Sequence, residues 1–271
     1  MRAFTLGLIQ MPVGPDKEEN LRRARREMEQ AAGKGAALLV LPEMFNCPYE
    51  LERFRPCAES IPDGPTCQML SEAARRLGIY LVGGSIPELE GERVYNTTTL
   101  WGPDGVLLGS HRKVHLFDVD IEGGICFEES RVLSAGERAS LVSTPLAEIG
   151  LGLCFDLRFP ELFRAETAAG AELIILPGAF NTTTGPAHWE PLVRARAIEN
   201  TVYFAACSPA PHPGSSYPAW GHSMVVDPFG AVVVEAGRGA EILYADVDSS
   251  RLEKVRRGLP VLRQRREFSG P

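Results

Sequence analysis

Three side chains capable of covalent chemistry stand in sequence surroundings that set them apart. They are Cys154 in Gly152-Leu153-Cys154-Phe155-Asp156-Leu157-Arg158, Glu43 in Leu41-Pro42-Glu43, and Lys113 in His111-Arg112-Lys113-Val114-His115. A cysteine sulfur attacks carbonyls, a carboxylate takes and returns a proton, and an ammonium stabilises an oxyanion. Each type also has an ordinary reading: a buried structural thiol, a cap or surface carboxylate, a solvated charge. Position argues for more. Glu43 and Cys154 each follow a short aliphatic run, and active groups of open α/β sheets lie beyond the carboxyl ends of strands. A competing arrangement pairs Cys154 with His188 or His222. Otherwise His188 lines a pocket or caps the helix after Gly185-Pro186, and His222 is a hydrogen-bonded structural residue near the last strands.

The elements that must hold these groups occur twice. Ala36-Ala37-Leu38-Leu39-Val40-Leu41-Pro42 and Ala171-Glu172-Leu173-Ile174-Ile175-Leu176-Pro177 are both aliphatic runs closed by proline, as in strands buried on both faces. Before the first run, Leu6-Gly7-Leu8-Ile9 leads to a helix over 16–32. Asp16 can cap it, Glu19 falls at the capping-box position, and Gly33 can end it. Before the second, Ile149-Gly150-Leu151-Gly152-Leu153 leads to a helix opened by Pro160 and ending before Gly170. Each copy reads strand, helix, strand, and each is followed by a hairpin with a proline and a glycine in its turn, at 102–105 and 227–230. The copies differ where chemistry is expected: Gln10 stands where the second has Cys154, and Glu43 where the second has Gly178. One domain of two similar halves, with sheets packed face to face, accommodates the 271 residues.

Composition narrows the function classes. Hydrophobic residues are 44% and charged residues 23%, as in globular domains. Lys+Arg 28 against Asp+Glu 35 gives a net charge of −7, so the surface as a whole does not suit nucleic acid. No run is long and apolar enough to span a membrane, and the start lacks the apolar segment of a signal peptide, so a cytoplasmic protein is expected. The six cysteines and five histidines show no zinc spacing and read as free thiols in a reducing compartment. Cys126 stands near enough to Glu129 to line a site, while Glu128 reads as surface charge.

Taken together, Leu41-Pro42-Glu43, His111-Arg112-Lys113-Val114-His115 and Gly152-Leu153-Cys154-Phe155-Asp156-Leu157-Arg158-Phe159-Pro160-Glu161 resemble the nitrilase, or carbon–nitrogen hydrolase, superfamily. The resemblance spans nearly the whole chain. It is closest to the omega-amidase branch through Arg112 to Asp120, Pro177 to Glu190, Ala219 to Ser223 and Pro260 to Gln264. It implies a four-layer α-β-β-α sandwich, a homodimer or larger oligomer, and Glu43, Lys113 and Cys154 as catalytic triad. Glu129 matches an additional active-site glutamate. The implied reaction is hydrolysis of a carbon–nitrogen amide bond through a cysteinyl thioester, with release of ammonia and with neither metal nor organic cofactor. In it Glu43 is the base, Cys154 the nucleophile, and Lys113 with the Phe155 backbone N–H the oxyanion stabilisers.

The implied substrate is the omega-amide of 2-oxoglutaramate or 2-oxosuccinamate. Its distant carboxylate calls for a cation or several donors. Arg158 is the candidate cation, with a salt bridge beneath the next helix as its structural reading; Thr183, Thr184, His188 and Tyr203 are further candidates. Deaminated glutathione or an N-carbamoyl amino acid is the alternative substrate within the superfamily. A different class of reading, a non-catalytic binding protein, starts from the basic tail. There Arg251, Lys254, Arg256, Arg257, Arg263, Arg265 and Arg266 face the single acidic Glu253. Because Leu252, Val255, Leu259, Val261 and Leu262 interleave, the tail (249–271) is expected to pack on the 1–248 core or at an oligomer interface. The segment Arg194 to Asn200 reads as scaffold, supporting the loop after Phe180.

Overall fold

The aliphatic runs form strands, and the repeat is visible in how they pair. The computed structural model describes residues 1–266. The first half contains β1 (Phe4–Gln10), α1 (Lys17–Gly33), β2 (Leu38–Val40), α2 (Leu51–Cys57), α3 (Pro65–Leu77), β3 (Tyr80–Val82), β4 (Ile86–Glu90), β5 (Arg93–Trp101) and β6 (Leu107–Arg112). A short hairpin follows, β7 (Asp118–Asp120) and β8 (Cys126–Glu128). The second half contains β9 (Ser140–Ser143), β10 (Glu148–Leu151), α4 (Pro160–Ala168), β11 (Leu173–Pro177), α5 (Gly185–Asn200), β12 (Tyr203–Cys207), β13 (Met224–Val226) and β14 (Val232–Glu235). Then come β15 (Glu241–Val247), α6 (Ser249–Gly258) and α7 (Val261–Gln264).

Strands β1, β2 and β3 pair in parallel, as do β10, β11 and β12. Antiparallel β5, β4 and β6 extend the first sheet, and β13 and β14 the second. Strand β15 returns to lie antiparallel on β1, the place β9 takes beside β10. Alternate side chains point to opposite faces. Leu6, Leu8, Leu38 and Val40 therefore meet Ile149, Leu151, Leu173 and Ile175 in one layer between the sheets. The outer face of the first sheet, with Leu39 and Leu81, is covered by Leu21, Ala24 and Met28 of α1 and Leu70 of α3. On the second sheet, Ile174 and Phe204 are covered by Phe163 of α4 and Val193 of α5. The result is the four-layer α-β-β-α sandwich. Each buried leucine or isoleucine contributes about 1.5–3 kcal/mol, so the three apolar layers dominate its stability.

Two local expectations are refined. Asp16 accepts the Glu19 N–H at 3.1 Å, but the Glu19 carboxylate turns to Arg22 instead of closing a capping box. Helix α1 includes Gly33, and the chain leaves it through Lys34 and Gly35, whose φ of +88° suits glycine. The basic tail is engaged with the body. Leu252 is buried in the inter-sheet layer. Arg256 donates to the carbonyls of Thr201 and Ala171 at 3.0 and 2.6 Å, Arg251 pairs with Asp227, and Arg265 donates to the Arg164 carbonyl. Residues 267–271, the end of that tail, lie outside the described residues. Among the described residues no helix is long and apolar enough to cross a membrane.

Gly84 fixes the exit of β2. It adopts φ +55°, and a Cβ there would stand 2.2 Å from the Pro42 carbonyl oxygen, one residue before Glu43. Gly91 has a similar φ of +60° with open space around its Cβ direction. Left-handed backbone costs a non-glycine residue about 1–2 kcal/mol. Gly91→Ala should therefore lose only that amount. Gly84→Ala should lose it plus the clash, lowering the thermal midpoint by several degrees more. Equal midpoints by scanning calorimetry would contradict this account of the strand exit.

Candidate functional site

Four chain segments leaving strands converge on one buried cluster. Glu43 follows β2, on a segment held by Met44 N–H donating to Ser85 Oγ at 2.9 Å and Phe45 N–H to the Ser85 carbonyl. Lys113 follows β6, and its N–H donates to the Asn96 carbonyl of β5 at 2.8 Å. Cys154 opens a single helical turn, Cys154–Arg158, after β10. Glu129 follows β8. Relative exposures are 1% for Glu43, 0% for Lys113 and Glu129, and 3% for Cys154, so water does not screen these charges.

The Lys113 ammonium lies between two carboxylates. Nζ donates to Glu43 Oε1 at 3.1 Å and to Glu129 Oε1 at 3.0 Å, with Glu129 Oε2 at 2.9 Å. Asn96 Nδ2 donates to Glu43 Oε1 at 2.8 Å, and the Phe117 N–H donates to Glu129 Oε2 at 2.7 Å. Glu43 Oε2 has no hydrogen-bond partner among the described residues. The Ala179 N–H points at Sγ from 3.4 Å.

The Cys154 turn is held in a strained form. Cys154 has φ +42°, a left-handed conformation that a side-chain-bearing residue keeps only when its surroundings enforce it. Asp156 supplies the enforcement. One oxygen accepts the Leu153 N–H at 3.0 Å and faces His111 Nε2 at 3.2 Å. The other accepts the His115 N–H at 2.9 Å and faces His115 Nδ1 at 2.7 Å. Burial alone would raise this carboxyl, but the histidine hydrogen bonds hold it well below the usual carboxylate range. From below, Arg196 Nε donates to the Leu157 carbonyl at 3.0 Å. Arg196 thus supports the Cys154 turn. Gly178 completes the fit, since a Cβ there would press on Cys154 Cα at 3.3 Å.

Electrostatics follow from burial. The Cys154 thiol is pushed well above its ordinary value, first by burial and then by Glu43, with Lys113 opposing. Glu43 is raised by burial and by Glu129, against the pull of Lys113. Burial would lower Lys113, but Glu129 and Glu43 together raise it, so it stays charged. A protonated thiol therefore faces a carboxylate more basic than usual.

The other expected residues separate into groups. Phe155 follows the sulfur, its ring edge-on to Phe117 at 5.2 Å. Arg158 is half-buried, its guanidinium 5.0 Å from the Phe180 ring centre and 5.5 Å from that of Phe155. Its polar partner is His188 Nδ1 at 3.0 Å. The salt bridge open to Arg158 is absent among the described residues. Thr183 and Thr184 donate their N–H groups to Asn181 Oδ1 at 2.9 and 3.1 Å. Thr183 is exposed and touches the hairpin tip at Gly124; Thr184 is buried. Tyr203 is a correction. It starts β12, at the end of the sheet away from Cys154, and its hydroxyl donates to the Asp248 carbonyl at 3.3 Å. Cys126 is exposed on β8 and Glu128 is exposed as expected. No cysteine–histidine pair forms: His188 contacts Arg158, and His222 Nδ1 contacts Glu235 at 3.2 Å. Among the described residues no metal-holding cluster of His, Cys, Asp or Glu occurs.

Tyr49 escaped the sequence reading. Its hydroxyl bonds Glu129, lies 3.3 Å from Glu43 Oε1, and accepts from Lys113 Nζ at 3.1 Å. Asn96 escaped too, since one amide inside a strand carries no pattern. Tyr217 packs 4.6 Å from the Tyr49 ring and donates to the Ala179 carbonyl at 2.6 Å. Glu43, Met44, Tyr49, Ala179 and Tyr217 border a small opening of about 30 Å³.

Comparison with known proteins agrees with this geometry. The carbon-nitrogen hydrolase family model matches residues 5–257. The chain is 50% identical to omega-amidase NIT2 of Danio rerio over 266 residues, 98% of this chain and 96% of that protein. The crystal structure of Saccharomyces cerevisiae Nit3, a member of branch 10 of the nitrilase superfamily, is 42% identical. It superposes with a TM-score of 0.90 over 98% of this chain and 97% of that one. A mutant of the amidase from Nesterenkonia sp. AN1, showing the result of Michael addition of acrylamide at its active-site cysteine, is 30% identical. Its TM-score is 0.78, covering 95% of this chain and 98% of that one. The chain belongs to the carbon–nitrogen hydrolase family and is an amidohydrolase of nitrilase fold.

Proposed function

We propose that this amidohydrolase removes the terminal amide of a small 2-oxo dicarboxylic acid monoamide, 2-oxoglutaramate or 2-oxosuccinamate, through a thioester on Cys154. The observation carrying the reading is the Lys113 ammonium held between two carboxylates beside a protonated thiol. Cys154 attacks the amide carbonyl as its proton passes to Glu43. The tetrahedral oxyanion is stabilised by Lys113 and the Phe155 N–H; losing one such donor costs about 3–4 kcal/mol. Glu43 returns the proton to nitrogen, and ammonia leaves. The same carboxylate then draws a proton from water, which hydrolyses the thioester. Glu129 and Tyr49 hold Lys113 in place throughout.

Arg158 supports the choice of substrate. It is a half-buried cation beside the nucleophile whose polar partner is a histidine, so it can take a substrate carboxylate bidentately. His188 and Thr183 would border that end, with Thr184 behind them. The omega-amidase relatives point the same way. Exposed Ile198, Phe229, Leu259 and Val261 are apolar surface on which a second copy would dock as a homodimer. The free thiols fit the cytoplasm, although the Arabidopsis thaliana relative, 49% identical, is a chloroplastic omega-amidase.

Rapid mixing with 2-oxoglutaramate followed by intact-protein mass spectrometry should trap an acyl adduct on Cys154, and Cys154→Ala should fold yet release no ammonia. Turnover by that variant, or an adduct formed only with deaminated glutathione or a carbamoyl amino acid, would contradict the reading. Arg158→Gln should raise KM for 2-oxoglutaramate by roughly tenfold to a hundredfold, the loss of a charged hydrogen bond. It should leave KM for a neutral amide of similar length unchanged. Equal effects on both substrates would make Arg158 structural.

A further inference from the structure

Glu43 is reached from a side that the substrate reading does not use. It is 1% exposed, and its Oε2 has no hydrogen-bond partner among the described residues. A buried carboxylate oxygen is ordinarily satisfied by a side chain, the backbone or water. The small opening beside Glu43 and Tyr49 continues along Val13, Ala210, His212 and Ser215. Val13, His212 and Ser215 also border a second opening of about 120 Å³, with Gly14, Pro15, Pro48, Glu50, Pro213 and Gly214 as its other walls. The shared residues join the two openings into one path, and exposed Pro15, Pro213 and Gly214 mark its outer end. One wall comes from the segments after β1 and β2, the other from the loop after β12. A Cβ on Gly14 would stand 3.0 Å from His212 Nε2, so that ring reaches across to the opposite wall. Ser216 Oγ donates to Glu50 Oε1 at 2.8 Å and ties the walls together at the mouth. Arg158, His188 and Thr183 are not among the described residues bordering either opening.

We propose that the water that hydrolyses the thioester reaches Glu43 through this passage, entering between Gly14 and Pro213; the proposal rests on the thioester mechanism given above. Size sets the occupant. A water needs about 10–15 Å³ of such space. The inner opening of about 30 Å³ therefore admits water and excludes a dicarboxylic acid monoamide. The chemistry sets the need. In the acyl-enzyme the acyl group fills the cleft from Cys154 to Arg158, and water must approach the thioester carbonyl beside Glu43. The water oxygen bonds the carbonyl carbon as its proton passes to Glu43. The C–S bond then breaks, the proton returns to sulfur, and the carboxylic acid leaves. A water in the inner opening gives Glu43 Oε2 the bond that the described residues do not supply, and the carboxylate orients it for attack.

The test compares the wild type with Val13→Trp and His212→Trp, which add bulk to opposite walls where the two openings meet. Full-length enzyme is mixed rapidly with 2-oxoglutaramate or with a short neutral amide. Intact-protein mass spectrometry then follows the formation and the decay of the acyl adduct. Each variant should form the adduct at the wild-type rate, which also shows that it is folded. Decay should slow by roughly tenfold, so that thioester accumulates and steady-state ammonia release falls in step. Unchanged decay in either variant would overturn the proposal. So would formation slowed as much as decay, which would make the passage the amide's own entrance. An adduct with the neutral amide alone would refute the 2-oxo acid substrate, and that adduct's decay would still decide the passage. No adduct with either amide in the wild type would overturn the thioester mechanism and this proposal together.

Discussion

A lysine ammonium buried between two carboxylates governs how this site is built. Lys113, Glu43 and Glu129 are withdrawn from water, and unpaired burial of any one would cost several kcal/mol. Each remaining polar bond has been recruited to offset that cost: Asn96 and Tyr49 on Glu43, the Phe117 N–H on Glu129, the Tyr49 hydroxyl on Lys113. Two oxygens, Glu43 Oε2 and Asn96 Oδ1, are left without a partner among the described residues.

The fold makes this possible by gathering strand exits from both halves at one end of the sandwich. Glu43 leaves β2, the second strand of the first repeat, and Cys154 leaves β10, the first strand of the second, while Lys113 and Glu129 come from the hairpins between them. Asp156 then ties the Cys154 turn to both histidines flanking Lys113, through His111 and His115. Cys154 and the segment carrying Lys113 are consequently positioned by one carboxylate. The same anchoring sustains the left-handed backbone at Cys154.

Much of this was legible before any coordinates. Aliphatic runs ended by proline gave the buried strands, because a strand covered on both faces needs apolar residues throughout, and asymmetry between copies drew attention to Glu43 and Cys154. Tyr49 and Asn96 were not legible: their roles depend on which side chains meet across chain segments far apart, and neither sits in a periodic pattern. Tyr203 was misplaced because a residue's membership in a strand does not say which end faces the site. Arg158 had two readings of equal merit in sequence. The lack of a carboxylate partner, a three-dimensional fact, favours the substrate-facing one.

Burial and the neighbouring carboxylate push the Cys154 thiol up, and the proposed mechanism accordingly has Glu43 take its proton during attack. This is tested most directly by the rate at which iodoacetamide alkylates Cys154, read by peptide mass spectrometry from about pH 5 to about pH 10. A raised thiol should react slowly through neutrality and accelerate only above the free-thiol value of about 8.5, and Glu43→Gln should move that rise to lower pH. A wild-type rate already at its plateau below about pH 7 would reveal a resting thiolate and contradict the account.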